Sequence, residues 1–117
     1  MPAITRRSLN APDEQPPLGE EVTVDQVDVR GLRVKRAVFE PGWHWKQHAI
    51  SEELCTTRHA GFVASGRLHV VMSDGSDTEI QAGDIVVIDP GHDAWTAGTE
   101  PCVFIDFGDS IDEARLV

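Results

Sequence analysis

The residues in this chain whose types suit chemistry fall into two groups. Gly83 to Trp95 reads GDIVVIDPGHDAW and brings an imidazole (His92), a carboxylate (Asp93) and an indole (Trp95) to one tight bend. Asp93 would act as a general base if desolvated, and otherwise caps its own turn or pairs with an arginine. The second group is Cys55 and His59. An imidazole beside a thiol favours the thiolate, so His59 is the group that would activate Cys55 as a nucleophile or soft ligand; the alternative for Cys55 is a small, partly buried hydrophobe. Trp43, Trp45 and Trp95, in a chain without tyrosine, either line a pocket that stacks on a flat or sugar-like molecule or close one end of the fold beneath the N-terminal arm.

Short strands must position these groups. Val86, Val87 and Ile88 read as a buried strand, too short for a helix and bounded by turn formers, and Pro90-Gly91 stops it just before His92. Upstream, Val22, Val24, Val27 and Val29, then Leu32, Val34, Ala37 and Phe39, predict two antiparallel strands about a turn at Arg30-Gly31, with an irregularity near Lys35-Arg36. In WHWKQH an extended chain puts Trp43 and Trp45 on one face and His44, Lys46 and His48 on the other. Residues 50–57 are expected to form a loop or irregular strand. RHAGFVASGRLHVVMSDGSDTEI then gives two strands joined at Ser65-Gly66, followed by turns at Ser73 to Ser76 and Gln81 to Asp84. Val103, Phe104, Ile105 and Phe107 make the final buried strand. His44 and His69 alternate with apolar neighbours and are expected to face outward, while Cys102, beside Pro101 at a strand entrance, packs in the core.

Many short strands with almost no helical periodicity predict an all-β antiparallel barrel or sandwich in one domain. The expected division is an arm over 1–20, a barrel over 21–109 and a tail over 110–117. In the arm, Pro12, Pro16 and Pro17 preclude continuous helix and Ile4 to Leu9 is a candidate edge strand; the tail makes one helical turn or frays. The formal charge of -10 repels phosphate backbones, so nucleic acid is not an expected partner. No apolar run approaches the roughly 20 residues of a membrane span. MPAITRRSLN has no apolar stretch of the secretory kind, so the cytoplasm is the expected compartment. Cys55 and Cys102 lack the close spacing of a zinc knuckle or redox pair and are expected to be reduced.

The segments PGWHWKQH, HAGFVASGRLHV, GDIVVIDPGHDAW and PCVFIDF occur in an order that resembles the cupin superfamily, over about Val34 to Phe107. Within it the chain looks most like small single-domain bacterial cupins with PGW and PGHDAW signatures. The resemblance implies a jelly-roll β-barrel whose inward side chains hold a divalent transition metal (Zn, Ni, Fe or Mn). Counted from Gly42, the family's first motif puts its first histidine on His48 and its second on Ile50; counted back from Gly66, its glutamate falls on His59. Counted back from His59, the two histidine places fall on Glu53 and Cys55, so two registers remain open. In the second motif Ala94 takes the histidine place, with His92 two positions earlier.

The ligands implied are therefore His48, His59 and His92, with Glu53 or Cys55 as substitutes, and the pocket residues are Glu53, Cys55, Asp93 and Trp95. The alternative for His59 is a buried imidazole hydrogen-bonded to a neighbour, and for His92 a group that fixes the turn before Trp95. A small-molecule-binding or sensing cupin with a remodelled barrel site is the first expectation, since the second-motif histidine is replaced. The alternative is a metal-dependent enzyme of the dioxygenase, isomerase or epimerase kind. The arm and the open strand edges lead to a further expectation, a homodimer.

Overall fold

The computed structural model of the chain describes residues 3–17, 19–48 and 54–108, the side chains at positions 47 and 48 excepted. Its elements in order are β1 (Val22–Val29), β2 (Leu32–Phe39), α1 (Trp45–His48), β3 (His59–Ser65), β4 (Arg67–Met72), β5 (Asp77–Gln81), β6 (Ile85–Ile88), β7 (His92–Ala97) and β8 (Cys102–Asp106). All strand pairs are antiparallel: one sheet runs β1-β2-β8-β3-β6 and the other β5-β4-β7. The all-β expectation holds. Among the described residues no helix is long and apolar enough to cross a membrane.

The β1–β2 hairpin follows from its turn. Arg30 and Gly31 both adopt positive φ, 52° and 89°, as a two-residue turn matched to strand twist requires. The Asp28 carboxylate accepts a bond from the Gly31 N–H at 2.9 Å, and pairing is then unbroken from Val29↔Leu32 to Val22↔Phe39. Hence β2 contains no irregularity at Lys35-Arg36. The strand is regular, and the break in its apolar alternation is a charged residue, Lys35, standing on the same cavity face as Ala37 and Phe39.

Between the sheets, Trp43, Val63, Leu68, Val70, Ile80, Ala94, Cys102 and Phe104 form a buried core. Cys102 is fully buried, and desolvation pushes its thiol up to about 11, consistent with a packing role. Gly61 lets β3 and β8 close on each other, because a Cβ there would lie 1.8 Å from the Ile105 carbonyl oxygen.

Three further sequence expectations need correction. WHWKQH is not an extended strand: Gly42 turns the chain at φ 89°, His44 bridges to Trp95, and Trp45–His48 forms a single helical turn. Trp43 and Trp45 nevertheless line one cavity while His44 turns away from it, toward Asp93. Strand β6 is not buried on both faces, since Ile85 is 78% and Val87 52% exposed. It ends its sheet beyond β3, so only Val86 and Ile88 reach the core, and a run of β-branched residues hides that difference between faces. Ile4 to Leu9 is not a strand. The arm meets β1 further on, through a bridge between Glu14 and Gln26, and Arg36 holds it by bonding the Leu9 carbonyl at 3.2 Å and the Asn10 side chain at 2.9 Å. The expected tail, residues 110–117, lies outside the described residues.

Candidate metal centre and barrel cavity

Three strands and a loop converge on one end of the interior. Cys55 lies just before β3 and is tied by backbone to the start of β7: its N–H donates to the His92 carbonyl at 2.8 Å, and its own carbonyl accepts from Gly91 at 2.7 Å. That short ladder carries the thiol to His92. His59 opens β3 opposite Ile88 of β6, and Asp106 closes β8 opposite Gly61. The ligand atoms of Cys55, His59 and His92 all lie within 4.8 Å of one another.

The tautomers are set from behind. His59 Nδ1 lies 2.6 Å from Asp106 Oδ2, and His92 Nδ1 lies 2.8 Å from the Asp89 carbonyl oxygen, an acceptor that requires Nδ1 to donate. Each ring therefore keeps Nε2 for the interior, and His59 Nε2 lies 3.6 Å from Cys55 Sγ. The two rings sit edge to face with centroids 5.2 Å apart. Asp106 is itself fixed by the N–H groups of Gly108 at 2.8 Å and Ala60 at 3.4 Å.

With no ion bound, the surroundings of Cys55 and His59 favour the thiolate and the charged imidazole. Burial pushes the Cys55 thiol up, but hydrogen bonds with His59 and His92 and the charge on His59 outweigh it and bring the thiol down to about 5. Burial pulls His59 down, yet the Asp106 carboxylate and the Cys55 sulfur raise it to about 9. Burial also raises Asp106, and its hydrogen bond and charge interaction with His59 more than reverse that, holding the carboxyl below its ordinary value. This is the behaviour of an opposite-charge cluster in a partly dry site.

Three soft-to-borderline donors suit a divalent transition metal. Zinc takes bonds of about 2.0–2.3 Å to nitrogen and sulfur, which puts ligand atoms about 3.3–3.8 Å apart in a tetrahedron, so the cluster needs to contract by only about 1 Å. An acceptor behind each imidazole is the arrangement that orients histidine ligands. An ion held by these three donors, the group found among the described residues, would face a cavity of about 150 Å³ whose lining also includes Phe39, Trp43, Trp45, Leu68 and Phe104.

The structure thus brings together Cys55, His59 and His92. Asp93 and Trp95, read from sequence as pocket residues, do not line this cavity. Alternation along β7 turns them to the other face: Asp93 accepts from the N–H groups of Ala94 and Lys46 and contacts His44 Nε2 at 2.7 Å, while the Trp95 ring lies between those of His44 and His69. His44 and His69 are outside the barrel, as their alternation predicts. The side chain of His48 and the whole of Glu53 lie outside the described residues.

Sequence reasoning missed Asp106, Lys35 and Arg58, all on the cavity wall. Two of them carried a signal. Asp106 is an acid between Ile105 and Phe107 in an apolar strand, and Lys35 interrupts an alternating one.

A family model described as Cupin domain matches residues 36–108. No curated protein matches the chain. Among solved structures, the chain is similar to an uncharacterized conserved protein with a double-stranded beta-helix domain from Klebsiella pneumoniae, with 21% identity and TM-score 0.58, covering 91% of this chain and 92% of that one. It is also similar to a cupin-like protein from Thermotoga maritima, with 22% identity and TM-score 0.52, covering 80% and 79%. A protein of unknown function from Vibrio parahaemolyticus gives 14% identity and TM-score 0.60, covering 80% and 96%. At these identities the likeness speaks for the fold.

Proposed function

The chain belongs to the cupin family, and from that premise we propose that it binds a small molecule in its barrel cavity, against a divalent transition metal ion held by Cys55, His59 and His92. The observation that supports this is the convergence of three donor atoms within 4.8 Å of one another, with both imidazole Nδ1 atoms already committed to oxygen acceptors. A thiolate with two imidazoles favours zinc, iron or nickel over harder ions. Bound there, such an ion would supply Lewis-acid polarisation of a ligand oxygen or an acidified water. The protein's own residues do the rest: Asp106 fixes His59, the Asp89 carbonyl fixes His92, and Phe39, Trp43 and Phe104 give the cavity an apolar wall.

A metal-dependent enzyme is the second reading, and what favours it is the group of three donors among the described residues, a set that would leave a coordination position for substrate. Metal analysis of untagged protein tests both readings. We expect about one equivalent of zinc, iron or nickel in wild type and its loss in His59→Ala and Cys55→Ser. Protein that stays metal-free after reconstitution with these ions would overturn the metal centre. A homodimer belongs to the same proposal, supported by the exposed Ile85 and Val87 on edge strand β6, since an apolar open edge is a ready site for self-pairing; light scattering showing a monomer at micromolar concentration would remove it.

A further inference from the structure

The side chains that line the barrel cavity are sorted along its length. Lys35, Ala37 and Phe39 of β2 all line it, as do Asp106 and Phe104 of β8. Lys35 pairs in register with Asp106 and Ala37 with Phe104, so both strands pass from charged to apolar in the same direction. Val24 and Val22 of β1 stand level with Ala37 and Phe39. The second sheet repeats the order: His92 and then Ala94 of β7 line the cavity, with Val70 of β4 beside Ala94 and Leu68 two places further on. The polar ends of the two sheets meet, since the rings of His59 and His92 lie with centroids 5.2 Å apart.

A strand advances about 3.3 Å per residue, so the first apolar level lies about 6.6 Å from the polar one and the second about 13 Å. Water gains little at the apolar levels, because an enclosed water needs roughly two to four polar partners. Carbon gains there in proportion to the surface it removes from water. The cavity of about 150 Å³ sets the size of the occupant, since an apolar site of that volume takes one benzene ring. At the polar level, the three donors found among the described residues would leave a bound ion a position for an exogenous one.

We infer that the ligand of this cavity is a small amphiphile, with one oxygen donor set against the ion at the level of Cys55, His59 and His92 and an apolar body of about six carbon atoms reaching Ala37, Phe104 and Leu68. This rests on the metal centre proposed above. The sorted walls give the ligand one orientation, because reversing it would bury the oxygen among carbon and leave carbon against the ion.

Titration calorimetry on the metal-loaded chain tests this with three probes: phenol has both parts, toluene the ring without the donor, and methanol the donor without the body. Metal content is measured on the same samples. We expect phenol to bind at least about tenfold more tightly than toluene, and at least about a hundredfold more tightly than methanol, which lacks the carbons to be buried. Chelating the ion should bring phenol down to the level of toluene. Ala37→Phe, which sets a ring at the first apolar level, should weaken phenol about tenfold or more and leave metal content unchanged. If that variant does not fold, a longer probe on the wild-type chain replaces it: 4-butylphenol, too large for the cavity, should bind about tenfold or more weakly than phenol. Methanol or 4-butylphenol equal to phenol would overturn the apolar body, and no binding of phenol at millimolar concentration would overturn the whole inference. Metal present with phenol no tighter than toluene sinks the amphiphile and leaves the metal centre standing. Protein that takes up no metal yet prefers phenol to toluene does the reverse.

Discussion

Asp106 at the end of β8 and His59 at the start of β3 meet at 2.6 Å, carboxylate oxygen to Nδ1, across the pairing of those two strands. The contact leaves His59 Nε2 toward Cys55 and favours the charged imidazole when no ion is bound. Removing the carboxylate should therefore act on the metal centre without touching a ligand. Asp106→Asn is expected to lower metal affinity by roughly 10–100-fold, the usual effect of losing the acceptor behind a histidine ligand. Competition against a chromophoric chelator reads it, and unchanged affinity would show that Asp106 does not orient the ring.

The metal-free protein should show one acidic thiol. Cys55 is lowered to about 5 and Cys102 raised to about 11. The ultraviolet thiolate absorbance of chelated protein is expected to titrate near pH 5, with that step missing in Cys55→Ser and the Cys102 step confined to strongly alkaline solution. A single step near pH 9 would contradict the ion pair.

The same pair makes stability depend on pH with a definite sign. Cys55 has a folded pKa, about 5, below its ordinary 9.0, so its contribution is complete above 9.0 and is lost as pH falls through 5. His59 has a folded pKa, about 9, above its ordinary 6.5, so its contribution is complete below 6.5 and is lost as pH rises through 9. Between 6.5 and 9 the opposite slopes cancel, and between 5 and 6.5 only the thiolate slope remains. The denaturant midpoint of metal-free protein should climb from pH 5 to about 6.5 and then stay level, and the climb should be absent from Cys55→Ser.

How much of this was legible in the sequence depends on whether the signal was local. The strands were readable because turn residues bound them: Arg30-Gly31, Ser65-Gly66, Ser73 to Ser76 and Pro90-Gly91 all fall where chain direction reverses. Cys55 and His59 were readable as a pair by spacing. What joins His92 to them is a bridge between Cys55 and His92 formed from distant parts of the chain, and what charges His59 is an acid 47 residues away. Neither relation leaves a periodic trace. Asp93 misled for the converse reason: it neighbours His92 in sequence, and neighbours on a strand face opposite ways.

Gly61 should tolerate no side chain. A Cβ at this position would sit 1.8 Å from the Ile105 carbonyl oxygen and 3.1 Å from Asp106 Cα, so Gly61→Ala must push β8 away from β3 along the stretch that joins Asp106 to His59. A destabilisation of about 3 kcal/mol is expected, at the upper end for overpacking because backbone, not a side chain, has to move. Chemical denaturation measures it. A loss below about 1 kcal/mol would mean that the strands can part at little cost.

Asp93 supplies the contrast that separates packing from chemistry. It is 8% exposed and accepts from the N–H of Lys46 in α1 and of Ala94 in β7, besides its contact with His44. It thus pins the helical turn to the outer face of β7, while His92 and Ala94, on either side of it, line the cavity. Asp93→Ala leaves the buried Ala94 N–H and the partly buried Lys46 N–H without their acceptor and is expected to cost about 1–3 kcal/mol in denaturant unfolding. Metal stoichiometry and the ultraviolet step of Cys55 should be unchanged, because no ligand or ligand partner is touched. Loss of metal from a folded Asp93→Ala protein would place this carboxylate in the site after all, and would return it to the role of base that its neighbour His92 suggests.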